Sequence, residues 1–169
     1  MRIIVSDTCC MIDLRKAALL EGMLRLPYSF IMPAPLFDDE WLSLSAEEKI
    51  RLCDLGLEIR DLPGPLVQRA ATYFNKHRRL KLNDCFALVL AEEAKGCILL
   101  TGDASLRQIA NNNEIEARGV LWITDELEKH AVMPPAHLHQ ALKLLQEDDL
   151  VFLPEDELIR RIRRLAKLV

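Results

Sequence analysis

Short apolar runs alternate along this chain with longer stretches of helical periodicity. Runs at Arg2–Ser6, Tyr28–Met32, Leu57–Ile59, Cys97–Leu100 and Val120–Trp122 predict five strands. The first, fourth and fifth are apolar without alternation, as strands covered on both faces of a parallel sheet are. Helical patterns fill the gaps. Pro35 opens one running to about Ser43. Ser45, with Glu48 three residues on, opens the next as a capping box. A third runs from about Pro65 to His77. Asn83 is placed to cap a fourth that ends near Gly96, a residue suited to a left-handed stop. Asp103 is placed to cap a fifth ending in Asn111-Asn112-Asn113. Asp125 with Glu128 opens a short sixth. Two more cover Pro135–Gln146 and Pro154–Leu168. Strands alternating with helices predict an α/β fold with helices on both faces of a parallel sheet. The last two helices have no strand after them and are expected to pack on one side of the sheet or against a partner.

Composition narrows the class. With 169 residues the chain fits one compact domain. Half the residues are apolar and 28% are charged, which excludes global disorder. The net charge of −4 argues against coating nucleic acid by bulk positive charge, while leaving room for a local basic patch. The five cysteines (Cys9, Cys10, Cys53, Cys85, Cys97) are odd in number and contain no C-x-x-C pair. Neither a disulfide scaffold nor a zinc knuckle is indicated, and a reduced, cytoplasmic setting is the expectation. Ile3-Ile4-Val5 begins an apolar run at once, without a signal-peptide layout. The longest apolar stretch, Cys85 to Ala91, is too short to span a membrane.

In an open parallel sheet, ligands bind beyond the carboxyl ends of the strands. The first strand ends on Asp7. The second leads through Pro33 and Pro35 into a helix carrying Asp38, Asp39 and Glu40. The fourth runs through Thr101-Gly102 to Asp103. Asp84 begins the helix that feeds the fourth strand, which puts it on the same edge. Acids from four separate segments are thus expected on one rim. Clustered carboxylates repel and want a counter-charge, and oxygen-only ligands point to a hard cation, Mg²⁺ or Mn²⁺. Such an ion suits phosphodiester hydrolysis. Each acid also has an ordinary explanation. Asp7 can start a turn. Asp84 and Asp103 sit at helix starts, where an acid gains about 0.3–1 kcal/mol in any case. The acidic triplet can be a solvated face, and Asp125 reads as a cap. Asp13 and Glu93 read as exposed helix residues. The signal is the joint placement.

These segments resemble a known family. Ile3-Ile4-Val5-Ser6-Asp7-Thr8, Pro33-Ala34-Pro35-Leu36-Phe37-Asp38-Asp39-Glu40-Trp41, Leu82-Asn83-Asp84-Cys85-Phe86-Ala87 and Ile98-Leu99-Leu100-Thr101-Gly102-Asp103 are similar, in order and spacing, to the PIN domain proteins. Among these, the chain resembles the small prokaryotic toxins of the virulence-associated protein C type. The resemblance implies a three-layer α/β/α sandwich with a central parallel five-stranded sheet. It implies a nuclease domain over residues 1–132, with a helical extension over 133–169 packed on it. It also implies a metal-dependent endoribonuclease, with Asp7, Glu40, Asp84 and Asp103 as catalytic and metal-binding acids and Thr101 orienting the last of them. A protein antitoxin and a homodimer follow by the same resemblance. Two positions depart from the pattern. Cys9 stands where many members have Ser or Asn, and Ser105 where some have a further acid. In the triplet Glu40 is preferred and Asp39 is the alternative.

A ribonuclease needs cations for the phosphate backbone. Lys76, His77, Arg78, Arg79 and Lys81 form a basic run just before Asp84, and a solvated helix end is the alternative reading of it. Arg107, one turn beyond Asp103, is placed either for a phosphate or for a salt bridge. The tail is polarised, with acids from Glu147 to Glu157 and then Arg160, Arg161, Arg163, Arg164 and Lys167. Its basic face suits RNA, an acidic antitoxin segment or a second copy, and its apolar face suits docking on its own domain. Trp41 and Trp122 read as core or site-wall residues. Aromatics make up only 5%, so no base-stacking surface of the single-strand-binding kind is expected. The competing reading is a non-catalytic module that keeps the fold with a degraded metal site. Other classes fit poorly. A dehalogenase-type phosphatase needs a second Asp at position 9, where Cys9 stands. A receiver domain needs an acidic pair after the first strand, and the six glycines form no nucleotide loop.

Overall fold

The computed structural model describes residues 1–39 and 44–169. Five parallel strands form one sheet in the order β3-β2-β1-β4-β5. They are β1 (Arg2–Ser6), β2 (Tyr28–Pro33), β3 (Leu57–Arg60), β4 (Ile98–Leu100) and β5 (Glu116–Arg118). Ile4 is in register with Phe30 on one side and with Ile98 on the other, and Phe30 with Leu57. The three inner strands carry the most deeply buried side chains, among them Ile4, Phe30, Ile31 and Leu99. For β1 and β4 that is the outcome expected of strands without polar alternation.

Ten helices surround the sheet among the described residues: α1 (Thr8–Lys16), α2 (Leu20–Met23), α3 (Ala34–Asp39), α4 (Ala46–Asp54), α5 (Gly64–Lys76), α6 (Leu82–Glu93), α7 (Ala104–Asn112), α8 (Val120–Lys129), α9 (Pro135–Glu147) and α10 (Glu155–Leu165). α6 lies across β1, β2 and β4, flanked by α3, α5 and α7. Its run from Cys85 to Ala91 is wholly buried, which explains its apolar character all round. A second group comprises α1, α2, α8, α9 and α10. It reaches the sheet through Tyr28, whose ring packs on Trp122 and whose hydroxyl donates to the buried Glu126 carboxylate. The result is the expected α/β/α sandwich. No described helix is long and apolar enough to cross a membrane.

Most elements fall where the pattern placed them. Ser45 caps α4, its hydroxyl accepting from the Glu48 N–H while Glu48 accepts from the Ser45 N–H. Three expectations are corrected. The fifth strand is Glu116–Arg118, and Val120–Trp122 is the first turn of α8. Gly119 precedes that turn, and Val120, Ile123, Thr124 and Leu127 recur at helical spacing as its buried face. Asp125 lies within α8 and caps nothing. Its carboxylate takes two hydrogen bonds from Arg161, at 2.9 and 2.6 Å, while Arg164 pairs with Glu128. Two guanidiniums of the tail helix therefore hold it to α8. The cap position before α6 is Lys81 rather than Asn83. The expected helix beyond Asp39, together with Glu40 and Trp41, lies outside the described residues.

Both borders of the sheet share one arrangement. On β3, Arg60 pairs with Glu58 at 2.6 Å; on β5, Arg118 pairs with Glu116 at 2.8 Å. Residues two apart on a strand face the same way, so each pair forms a charged clasp along its edge strand. Arg2 of β1 also reaches Glu116.

Candidate active site

The carboxyl ends of β1 and β4 lie side by side, and the ladder continues past them. The Asp7 N–H donates to the Leu100 carbonyl at 2.9 Å, and the Thr101 N–H to the Arg118 carbonyl at 2.8 Å. This holds Asp7 and Thr101 rigidly at the rim. Asp7 is only 4% exposed, and burying a carboxylate requires compensating donors. Two are supplied to Oδ2: the Thr101 hydroxyl at 2.9 Å and the Cys9 thiol at 2.9 Å. Thr101 also accepts from the Asp103 N–H at 3.1 Å, and Cys9 Sγ accepts from the Gly102 N–H at 3.3 Å. One hydroxyl and one thiol thus tie the end of β1 to the β4–α7 turn. The same Thr101 hydroxyl thus touches both segments, bonding the Asp7 carboxylate and the Asp103 backbone. Cys9, read from the sequence only as a departure from the family pattern, is a direct partner of Asp7. No sequence spacing signals that contact, because it depends on the turn after β1.

Asp103 caps α7, its Oδ1 accepting from the Leu106 N–H at 2.7 Å. Asp84 sits in the first turn of α6, and its Oδ2 accepts from the Lys81 N–H at 2.6 Å. Both acids therefore fill the capping roles that were the ordinary explanation for them. Yet Asp84 also senses the other two. Its pKa is pushed up to about 6, first by burial and then by the charges of Asp7 and Asp103, against the pull of Lys81. Acids from β1, the β4–α7 turn and α6 share one field. Glu40 lies outside the described residues, and Ser105 is half-buried at the start of α7. Arg79 and Lys81 are exposed on the α5–α6 connection that leads to Asp84. Among the described residues, Arg107 pairs with no carboxylate. Its Nη2 donates to the Thr101 carbonyl at 2.9 Å.

This donor chemistry suits a hard divalent cation. The oxygens are carboxylates, they repel, and positive charge among them relieves the repulsion. Among the described residues, no group of three or more His, Cys, Asp or Glu side chains is arranged closely enough to hold an ion.

The raised Asp84 pKa carries a testable consequence. An acid whose folded pKa lies above its unfolded value binds more protons when folded, so stability falls as pH rises from about 4 through 6. Asn at position 84 keeps an oxygen for the Lys81 N–H and removes the charge. In chelator at pH 8, Asp84→Asn is expected to be more stable than the parent by about 1 kcal/mol, after allowing for solvent screening. The gain should vanish near pH 4, as read by denaturant titration at the two pH values.

No curated protein matches the chain at a significant level. A family model described as a PIN domain matches residues 3–167, tail included. With almost every residue inside that match and a five-stranded parallel sheet beneath it, the chain belongs to the PIN domain family.

Proposed function

We propose that this protein is a divalent-metal-dependent endoribonuclease, with Asp7, Glu40, Asp84 and Asp103 as its metal-binding acids. The PIN domain is a nuclease fold, commonly that of metal-dependent ribonucleases. The observation that carries the reading for this chain is the joining of Asp7 and Asp103 at the adjacent ends of β1 and β4 through one Thr101 hydroxyl, with Asp84 near enough for its carboxyl to feel both charges. These acids would hold Mg²⁺ or Mn²⁺, which when bound would supply polarisation of a phosphoryl oxygen and a lowered pKa for an attacking water. The chain's own part is preorganisation. Thr101 and Cys9 fix the Asp7 carboxylate, α7 fixes Asp103, and the Lys81 N–H fixes Asp84. Arg79 and Lys81 stand on the approach to Asp84, where they would draw an RNA backbone in.

The toxin role, a protein antitoxin as inhibitor and a homodimer are further parts of this proposal, resting on the resemblance of the motifs; a cytoplasmic setting is another, resting on the cysteine usage. A non-catalytic module is the second reading. It is favoured by the two hydrogen bonds, from Thr101 and Cys9, that already engage Asp7 Oδ2.

Purified protein, stripped of any partner, is expected to cut single-stranded RNA in Mn²⁺ and to stop when excess chelator is added. Gel analysis of end-labelled RNA reads this directly. Absence of cleavage in both Mn²⁺ and Mg²⁺, with no metal uptake by calorimetry, would leave the second reading standing.

A further inference from the structure

A groove of about 870 Å³ starts at Gly102, between Thr101 and Asp103, and runs along α7 toward the tail. Its volume falls within the roughly 300–1,000 Å³ of ligand sites. Three observations identify what it suits. First, the α7 wall presents Gln108, Asn111 and Asn112, all exposed and spaced as one helical stripe. Amides both donate and accept, as the varied edges of unpaired bases require. Second, Arg107 lines the groove, its guanidinium anchored by Nη2 donating to the Thr101 carbonyl at 2.9 Å. Third, Phe152 stands at the far end with 85% of its surface exposed.

That exposure is built by its surroundings. In the connection between α9 and α10, Val151 and Leu153 pack against the core, so Phe152 between them points outward. The connection is pinned where Asp148 pairs with Lys16 at 2.8 Å and accepts from the Leu150 N–H at 2.8 Å. An open ring held in place beside amides and a guanidinium matches the stacking platforms on which single strands bind.

We propose that this groove binds single-stranded RNA, with a base stacked on Phe152 and an acceptor of the strand on Arg107. The proposal deepens the ribonuclease reading and rests on it, since the groove opens beside Asp103. Two of its cations already have partners: Arg161 is paired with Asp125 and Arg118 with Glu116. Binding therefore leans on stacking more than on charge. A duplex, whose bases are stacked inside, does not fit. A protein segment seated here instead would leave RNA affinity indifferent to Phe152.

The test is anisotropy of a fluorescein-labelled mixed-sequence RNA of about ten nucleotides, in chelator so that nothing is cut; stacking on one ring implies that Phe152→Ala weakens binding by about 5- to 100-fold. Phe152→Tyr should stay within about threefold of the parent, and the salt slope of Phe152→Ala should match the parent's, because the lost contact carries no charge. Thermal melts check that both variants fold. Unchanged affinity in Phe152→Ala, equal competition by duplex RNA, or no binding by the parent each overturns the groove. Cleavage in Mn²⁺ is scored separately. Phe152-dependent binding without cleavage would sink the nuclease reading and keep the groove, whereas cleavage with Phe152-independent binding would do the reverse.

Discussion

Asp7→Asn is expected to abolish RNA cleavage while leaving the protein folded. The carboxylate is buried, and Oδ2 takes hydrogen bonds from Thr101 and Cys9. An asparagine can turn its oxygen toward those donors, so the packing and these two hydrogen bonds survive while the charge is lost. Removing a side chain that hydrogen-bonds a metal ligand costs about 10- to 100-fold in activity, so losing the charge of a ligand itself should exceed that. A gel assay in Mn²⁺ reads the loss, and circular dichroism checks the fold. The same variant has a second signature. The Asp7 charge helps hold Asp84 near 6, so the Asp84 pKa should fall toward the ordinary carboxylate value in Asp7→Asn, as followed by carboxyl NMR titration. A folded Asp7→Asn that cleaves at the parent rate would remove Asp7 from the proposed mechanism.

Phe30→Ala is the largest expected stability change. Phe30 is 1% exposed at the middle of β2, paired to Ile4 and Leu57, with the Tyr28 ring edge-on at 6.3 Å. Truncating a core phenylalanine costs about 3–5 kcal/mol, through lost transfer energy and the cavity left behind. Against a total stability of about 5–15 kcal/mol, this should lower the melting temperature by roughly 10 °C or more. Phe152→Ala makes the contrast. The same side chain at the surface should move stability by no more than about 0.5 kcal/mol, so its effect belongs to binding alone. A Phe30→Ala protein that melts within a few degrees of the parent would mean that β2 is not central to the core.

How much of this was legible beforehand depended on burial. β1, β2 and β4 are sandwiched between helices, and for β1 and β4 an apolar run without alternation says so. β5 is an edge strand of three residues, Glu-Ala-Arg, whose side chains are half-buried or exposed and which pairs only with β4. It carries no apolar signal, and the run after it imitated a strand while serving as one face of α8. α1 and α2 had no expected bounds, although Asp13 was read as an exposed helix residue. It is a half-buried one, its pKa pushed up to about 6 chiefly by burial. In the site, residue types and order placed the acids on one rim. Asp84 and Asp103 looked equally suited to capping, and they do cap. What sequence could not supply was coupling across space: the thiol of Cys9 on Asp7, the hydroxyl of Thr101 joining two strand ends, and the outward turn of Phe152. Low aromatic content argues against a stacking surface, and composition does not single out the one exposed ring on which the groove proposal rests.

The charged clasps on the sheet's two outer strands also bear on self-association. An outer strand normally exposes a backbone template on which another chain can extend the sheet laterally. Here that template is three residues long on one side and four on the other, each crossed by a Glu–Arg pair that an added strand would have to desolvate. Fibrous growth through these borders is disfavoured, and two copies of this protein would meet through helices.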